Sequence, residues 1–254
     1  MAKLVDASDL KSEALIRRAG SSPAARTSPP LLTLGQRVIK SYPLPMTDRK
    51  YEILHRESLF QGFFRVDRLH LRQELFTGGW SAPFSREVFS GCQKAAIVLL
   101  FDPQNDKVVM IEQFRPGPAA KNDNPFMLEL VAGAVDPGET LEETAKRESR
   151  EEAGCDVRAL EKIFSYYPTP RSLSEHVTLF VGRTTAPEDG TIHGLEQEGE
   201  HIRVKVLDAA QAISLLYSGK LRDAASLIGL QWFALHHTDL RSRWLVSETN
   251  IPVI

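Results

Sequence analysis

The sequence predicts an α+β fold: a small N-terminal antiparallel β-sheet domain, then an αβα sandwich with a mixed sheet between helices. Three observations carry this. Short alternating strands run from Tyr51 to Phe89, more strands surround one charged helix after Gly133, and two helices close the chain. A β-rich start followed by helix, strands and helices suits layered α+β domains.

Residues 1–45 have little sustained period and a Gly/Ser/Pro/Ala cluster from Gly20 to Pro30. No apolar core of a secretory signal is visible, and Asp6, Asp9 and Glu13 argue against a transit peptide. The run KLVDASDLKSEA, followed by AGSSPAART, reads like the translation of a transfer-RNA gene, which would put the natural start at Met46. Residues 46–92 form the expected β domain, built from YEILHRESLF, FFRVDRLHLRQELF and FSREVF with a turn at Gly78-Gly79.

Residues 93–246 form the expected second domain. Ala95 to Leu100 and Lys107 to Phe114 are apolar strands around the turn DPQND. Residues 117–126 read as a polar loop, and Phe126 to Val131 as one strand leading to Gly133. Leu141 to Ala153 lacks Gly and Pro and is rich in helix formers, with Gly154 as its stop. Strands follow near Phe164–Tyr167, Val177–Gly182 and Ile202–Val206. Helices are expected from Asp208 to Leu216 and from Ala224 to His237, where the spacing of Leu227, Leu230, Phe233 and Leu235 predicts a buried face. Residues 247–254 are expected as a tail.

The 254 residues carry 31 Lys and Arg against 33 Asp and Glu, a net charge of −2. This balance gives no electrostatic footprint for nucleic acid or an anionic membrane, so neither is expected as a partner. Two cysteines, Cys92 and Cys155, have no zinc spacing and form no disulfide framework, which points to a reducing, cytoplasmic location. The longest apolar runs are too short to span a bilayer.

The chemistry is concentrated between Gly133 and Cys155, where GAVDPGETLEETAKRESREEAGC has the register G-x5-E-x7-R-E-x2-E-E-x-G. Glu148 and Glu152 are one turn apart on a helix, Glu151 sits beside them, and Glu139 lies near the helix start, where a carboxylate suits the macrodipole. Clustered exposed acids repel by a few tenths of a kcal/mol, roughly, per pair. A bound cation turns that cost into ligand charge, and hard oxygen donors favour Mg²⁺ or Mn²⁺ over zinc. Seven fixed positions match by chance on the order of once in 10⁸ registers.

A second segment, GLEQEGEHIRV, places Glu196, Glu198 and Glu200 in a glycine-punctuated loop. A loop acid beside a metal suits the general base that activates water. Arg86 and Arg115 suit bidentate pairing to phosphate. Phe63 and Phe64 are expected on opposite faces of a strand, one in the core and one free to stack on a base. His176, His193 and His201 lie near these loops and read as structural.

The pattern resembles the Nudix box. With QGFF, SREVF, IEQFR, ELVAG, PTPRSLSEH, HGLEQEGEHIRV and AASLIGLQW in order, the chain from Tyr51 to Trp244 resembles the bacterial ADP-ribose pyrophosphatase branch of the Nudix hydrolases. That resemblance implies a homodimer with exchanged N-terminal sheets, and Mg²⁺-dependent hydrolysis of ADP-ribose to AMP and ribose 5-phosphate. It implies metal binding by the Ala132 carbonyl, Glu148, Glu152 and Glu200, with Glu151 supporting them and Glu198 as catalytic base. Gly133, Glu139 and Arg147 would support the acids. Arg86, Arg115, Thr169 and Glu175 would contact the diphosphate or terminal ribose, Glu87 and Ala134 join the substrate-binding set, and Phe63 with Phe64 of the partner subunit would meet the adenine. The family usually has Gly after the proline at Pro170, where this chain has Arg171, and the Ser90-Gly91-Cys92 stretch lacks a basic residue that some relatives carry. Alternatives are hydrolysis of another nucleoside diphosphate sugar, such as GDP-mannose or ADP-glucose, and a non-catalytic ADP-ribose sensor; the intact box acids speak against the sensor.

Overall fold

The computed structural model describes residues 48–90 and 94–249. The expectations for residues 1–45, for Gly91 and Cys92 and for the end of the tail lie outside the described residues.

The first strands form a three-stranded antiparallel sheet: β1 (Tyr51–Gln61), β2 (Arg65–Gln73) and β3 (Phe84–Phe89), in that order. Its β-branched and aromatic side chains favour pleated backbone. All of β1 is exposed, including Tyr51, Ile53, Leu54 and Phe60. Buried Asp67 fastens the sheet internally by accepting hydrogen bonds from Arg56, Arg65 and the Ser90 hydroxyl.

A mixed sheet follows, with β4 (Lys94–Asp102), β5 (Lys107–Phe114), β6 (Phe126–Glu129), β7 (Val131–Ala134), β8 (Ala159–Tyr166), β9 (His176–Arg183), β10 (Ile192–His193) and β11 (Ile202–Asp208). Its path is β10-β11-β5-β4-β9-β8, with β4 and β9 parallel. The β4–β5 hairpin is paired only near its turn, Leu100–Asp102 against Lys107–Val109. Beyond that, β6 pairs with β5 and β7 with β4. The single strand expected from Phe126 to Val131 is therefore two strands broken at Leu130, because the chain changes partner across the splayed hairpin. The loop expected at residues 117–126 opens with a short helix, α1 (Pro116–Ala119), which Pro116 starts.

Helices cover both faces of this sheet. Along β4, Ile97, Leu99 and Phe101 face the side covered by α3 (Ala209–Ser214) and α4 (Ala224–Thr249), and Ala96, Val98 and Leu100 face α2 (Leu141–Ala153). Period-two alternation sends successive side chains to opposite faces, so a strand with apolar residues throughout is buried on both. Each fully buried Leu or Phe there contributes about 1.5–3 kcal/mol. Helix α4 continues past the expected end at His237 to Thr249, three residues into the segment expected as a tail. Leu230 and Phe233 are buried as expected, but Leu235, only two residues beyond Phe233 and so turned away from its face, is 66% exposed.

Candidate active site

Helix α2 has the bounds its sequence predicts. Thr140 caps it by accepting from Glu143 N–H, and the Glu143 carboxylate accepts from Thr140 N–H in return. This capping box, legible as TLEE, was missed in the sequence. Gly154 ends the helix at φ 63°, its N–H bonded to the Arg150 carbonyl.

Beside α2 runs β7, and the approach is close. A Cβ on Gly133 would overlap the Glu148 carboxyl. Ala132 N–H donates to Glu152 Oε2 at 3.0 Å, and Gln113 Nε2 reaches Glu152 Oε1 at 3.5 Å. Arg147 ties the assembly together. Its guanidinium donates to Glu139 (Nε to Oε1, 2.8 Å), Glu148 (2.7 Å), Glu151 (2.9 Å) and the Ala134 carbonyl (3.2 Å). Glu139, near the helix start, thus bonds the arginine and the Thr144 hydroxyl.

The electrostatics divide these acids into two kinds. Hydrogen bonds from Arg147 and Thr144 lower Glu139 to about 2. Burial pushes Glu148 up to about 7, with Arg147 opposing and Glu151 and Glu200 adding repulsion. Burial likewise pushes Glu152, 2% exposed, up to about 8, with the Ala132 N–H opposing and Glu148 and Glu200 adding repulsion. Glu148 and Glu152 thus both feel the charge of Glu200, and Arg147 and Arg115 offset only part of the cost of burying them.

Glu200 arrives on a loop. Strand β10 leads to Gly194 and a 3-10 turn at Glu196–Glu198, after which Glu200 Oε2 accepts from Leu195 N–H at 3.1 Å. Glu200 is half-buried; Glu198 is exposed on the turn. Among the described residues, no three His, Cys, Asp or Glu side chains are already gathered to hold a metal ion. Arg147, Ala132 N–H and Leu195 N–H each engage one or more of the carboxylates. As a donor set, clustered carboxylates short of positive charge fit a hard divalent cation.

Next to Glu148 and Glu152 lies a cavity of about 290 Å³, lined by Ala132, Gly133 and Ala134 and by Arg115, Glu129, Glu175 and Asp223 among others. Arg115 Nε donates to Glu129 Oε2 at 2.8 Å. Burial raises both Glu129 and Glu175, and Arg115 opposes the shift in Glu129. Asp223 caps α4 by accepting from Ser226 N–H, while its Oδ2 is buried with no hydrogen-bond partner among the described residues. Sequence reading missed Glu129 and Asp223. A lone acid between apolar residues in FMLELV was the signal for Glu129; Asp223 gave none beyond a capping residue.

The remaining predicted residues lie elsewhere. Phe63 and Phe64 sit in the bend between β1 and β2, not on opposite faces of a strand; both are exposed, Phe63 by 95%, and meet edge-to-face with centroids 4.9 Å apart. The bend frees them from strand alternation. Arg86 and Glu87 are exposed on β3, Arg86 over the Phe84 ring and Glu87 bonded to Arg68. Thr169 is exposed in the turn after β8, its carbonyl accepting from Ser172 and Leu173 N–H. None of these five lines the cavity.

Helix-borne acids clamped by an arginine over a glycine turn, on an αβα sandwich, are the arrangement that a hydrolase of the Nudix class would present. A family model described as NUDIX domain matches residues 92–230. The ADP-ribose pyrophosphatase of Escherichia coli strain K12 is 41% identical over 209 residues, 82% of this chain and 100% of that protein. The GDP-mannose pyrophosphatase of Yersinia enterocolitica serotype O:8 is 30% identical over 189 residues, 74% of this chain and 96% of that one. The crystal structure of an ADP compounds hydrolase aligns with a TM-score of 0.56 at 19% identity, covering 76% of this chain and 96% of its own, a likeness of fold. This chain belongs to the NUDIX domain family.

Proposed function

We propose that this chain hydrolyses the diphosphate of ADP-ribose to AMP and ribose 5-phosphate. The observation that carries the reading is the packing of Glu148 against Gly133 and of Glu152 against Ala132 N–H, within electrostatic reach of Glu200 and beside a cavity that contains Arg115. The extent and identity of the match to an ADP-ribose pyrophosphatase favour this substrate over GDP-mannose.

Glu148, Glu152, Glu200 and the Ala132 carbonyl would hold Mg²⁺, with Mn²⁺ as a substitute and Glu151 supporting. The bound cation supplies positive charge against the diphosphate oxygens. Arg147 ties Glu148 and Glu151 together, and Glu129 holds the Nε of Arg115, whose terminal N–H groups would then serve a phosphate. Glu198 takes a proton from the attacking water as the new P–O bond forms and the anhydride P–O bond breaks. Glu175 and Thr169 would contact the diphosphate or terminal ribose, and Arg171 near them would alter sugar preference.

The exposed apolar side chains of β1, with Phe63 and Phe64, support a homodimer that exchanges its N-terminal sheets, residues 46–92 being the dimerising domain and residues 93–246 the catalytic one. A long apolar edge strand left open to water invites pairing or cover. The partner's Phe63 and Phe64 would then stack on the adenine, near Arg86 and Glu87. No helix among the described residues is long and apolar enough to cross a membrane. We place the enzyme in the cytoplasm, in keeping with the free buried thiol of Cys155.

Incubation with ADP-ribose, ADP-glucose and GDP-mannose plus Mg²⁺, with chromatography of the products, tests the reading. AMP and ribose 5-phosphate from ADP-ribose at the highest kcat/KM are expected. Preferential release of GMP from GDP-mannose would replace ADP-ribose as the substrate.

A further inference from the structure

The segment that carries Glu198 and Glu200 touches the last turn of α2 at a specific place. A Cβ built on Gly154 meets the His193 ring at Cε1 (2.6 Å), Nε2 (3.1 Å) and Nδ1 (3.4 Å). The imidazole therefore lies on the bare face of this glycine. Its Nε2 is 3.1 Å from the Thr191 hydroxyl, which limits rotation of the ring.

One residue further on, Gly194 N–H donates to the Glu151 carbonyl at 3.0 Å, so the loop also takes up a carbonyl at the open C-terminal end of the helix. Gly194 stands at φ 98°, and a Cβ there would meet Glu200 Cβ at 2.8 Å. Gly154, His193, Gly194 and Glu200 thus form a continuous line of contact. It runs from the helix that bears Glu148 and Glu152 to the loop acid that senses both of them.

We propose that His193 is a positioning residue, whose ring on Gly154 docks the 194–200 loop against α2 and so sets Glu200 beside Glu148 and Glu152. The final glycine of the box then has two duties. It takes the left-handed φ that ends the helix, and it leaves room for the ring. This inference rests on the reading of Glu200 as a metal ligand.

The test measures Mn²⁺ affinity by the electron paramagnetic resonance signal of free Mn²⁺, together with hydrogen exchange at the Gly194 amide. Three variants are compared with the intact chain: His193→Ala, Gly154→Asn and the double variant. Asparagine tolerates a left-handed φ but brings a Cβ against the ring. Each single change is expected to weaken Mn²⁺ binding about tenfold, the usual lower bound for groups that orient metal ligands. The double variant should also show about tenfold, since both changes undo one contact, and residues in contact are non-additive. Gly194 should lose amide protection in all three. Mn²⁺ affinity and Gly194 protection unchanged in His193→Ala would overturn the proposal, as would a double variant in which the two losses multiply. Gly154→Asn reaches the contact from the other side, so it still decides if the histidine variant folds poorly. If wild-type protein failed to cleave ADP-ribose, the functional reading would fall, while Gly194 protection would still judge the docking.

Discussion

The carboxyl group of Glu148 fills the space that a side chain on Gly133 would take, so at this point only the Glu148 side chain lies between strand β7 and helix α2. Arg147 bonds both the Glu148 carboxylate and the Ala134 carbonyl, which closes the contact. Gly133→Ala should therefore push Glu148 away from the other acids without unfolding the sheet. Mg²⁺ half-activation is expected to rise about 10–100-fold, with far-UV circular dichroism unchanged. An unaltered Mg²⁺ titration would show that this approach does not matter to metal binding.

Arg147 is the hub of the acidic cluster, and lysine cannot replace it. A guanidinium serves Glu139, Glu148, Glu151 and a carbonyl at once; an ammonium is a point charge on a flexible stem. Arg147→Lys should lower stability by about 1–3 kcal/mol, less than for a fully buried pair because 28% of the arginine surface stays exposed. Urea unfolding with equal m-values would measure it.

Glu139 gives the cluster a defined acid response. Its pKa falls from 4.5 to about 2 on folding, so its contribution is full above pH 4.5 and is lost as pH drops toward 2. The stability gap between wild type and Glu139→Gln should stay constant at higher pH, then shrink as pH drops from 4.5 toward 2. A gap that widened on acidification would contradict the pairing with Arg147.

Glu152 behaves in the opposite sense. Its folded pKa of about 8 lies above the ordinary 4.5, so the unfolded chain releases the proton first and the metal-free protein loses stability as pH rises between those values. At pH 8 in chelator, Glu152→Gln should melt at a higher temperature than wild type. Added Mg²⁺ should stabilise wild type and leave the variant unmoved. A variant that melts lower in chelator would show that the hydrogen bonds of Glu152 outweigh its buried charge.

Local chemistry explains what could be read in advance. Helix α2 was legible to the residue because its signals are all local: Pro137-Gly138 before, good formers within, Gly154 after. The break at Leu130 was not, because Phe126 to Val131 has uniform strand propensity and only the splaying of the β4–β5 hairpin forces the change of partner. The two-residue strand β10 is too short to show a period, and its pairing with β11 fixes it. Among site residues, the box acids announce themselves by spacing. Glu129 and Asp223 reach the cavity through tertiary placement, which no window of sequence carries.

The two acids of the late loop should separate by function. Glu200 is half-buried, held by Leu195 N–H and close enough to Glu148 and Glu152 to raise both. Glu198 is exposed two residues earlier, with its carboxylate in solvent. Glu200→Gln should therefore shift the Mg²⁺ titration. Glu198→Gln should leave that titration in place and lower kcat by about 10²–10⁴-fold, the range for a lost general base. A metal titration of each variant at saturating ADP-ribose decides between them. If Glu198→Gln turned over normally while Glu200→Gln lost kcat at saturating Mg²⁺, the base would be Glu200, already beside the acids on α2, and Glu198 would have no catalytic part.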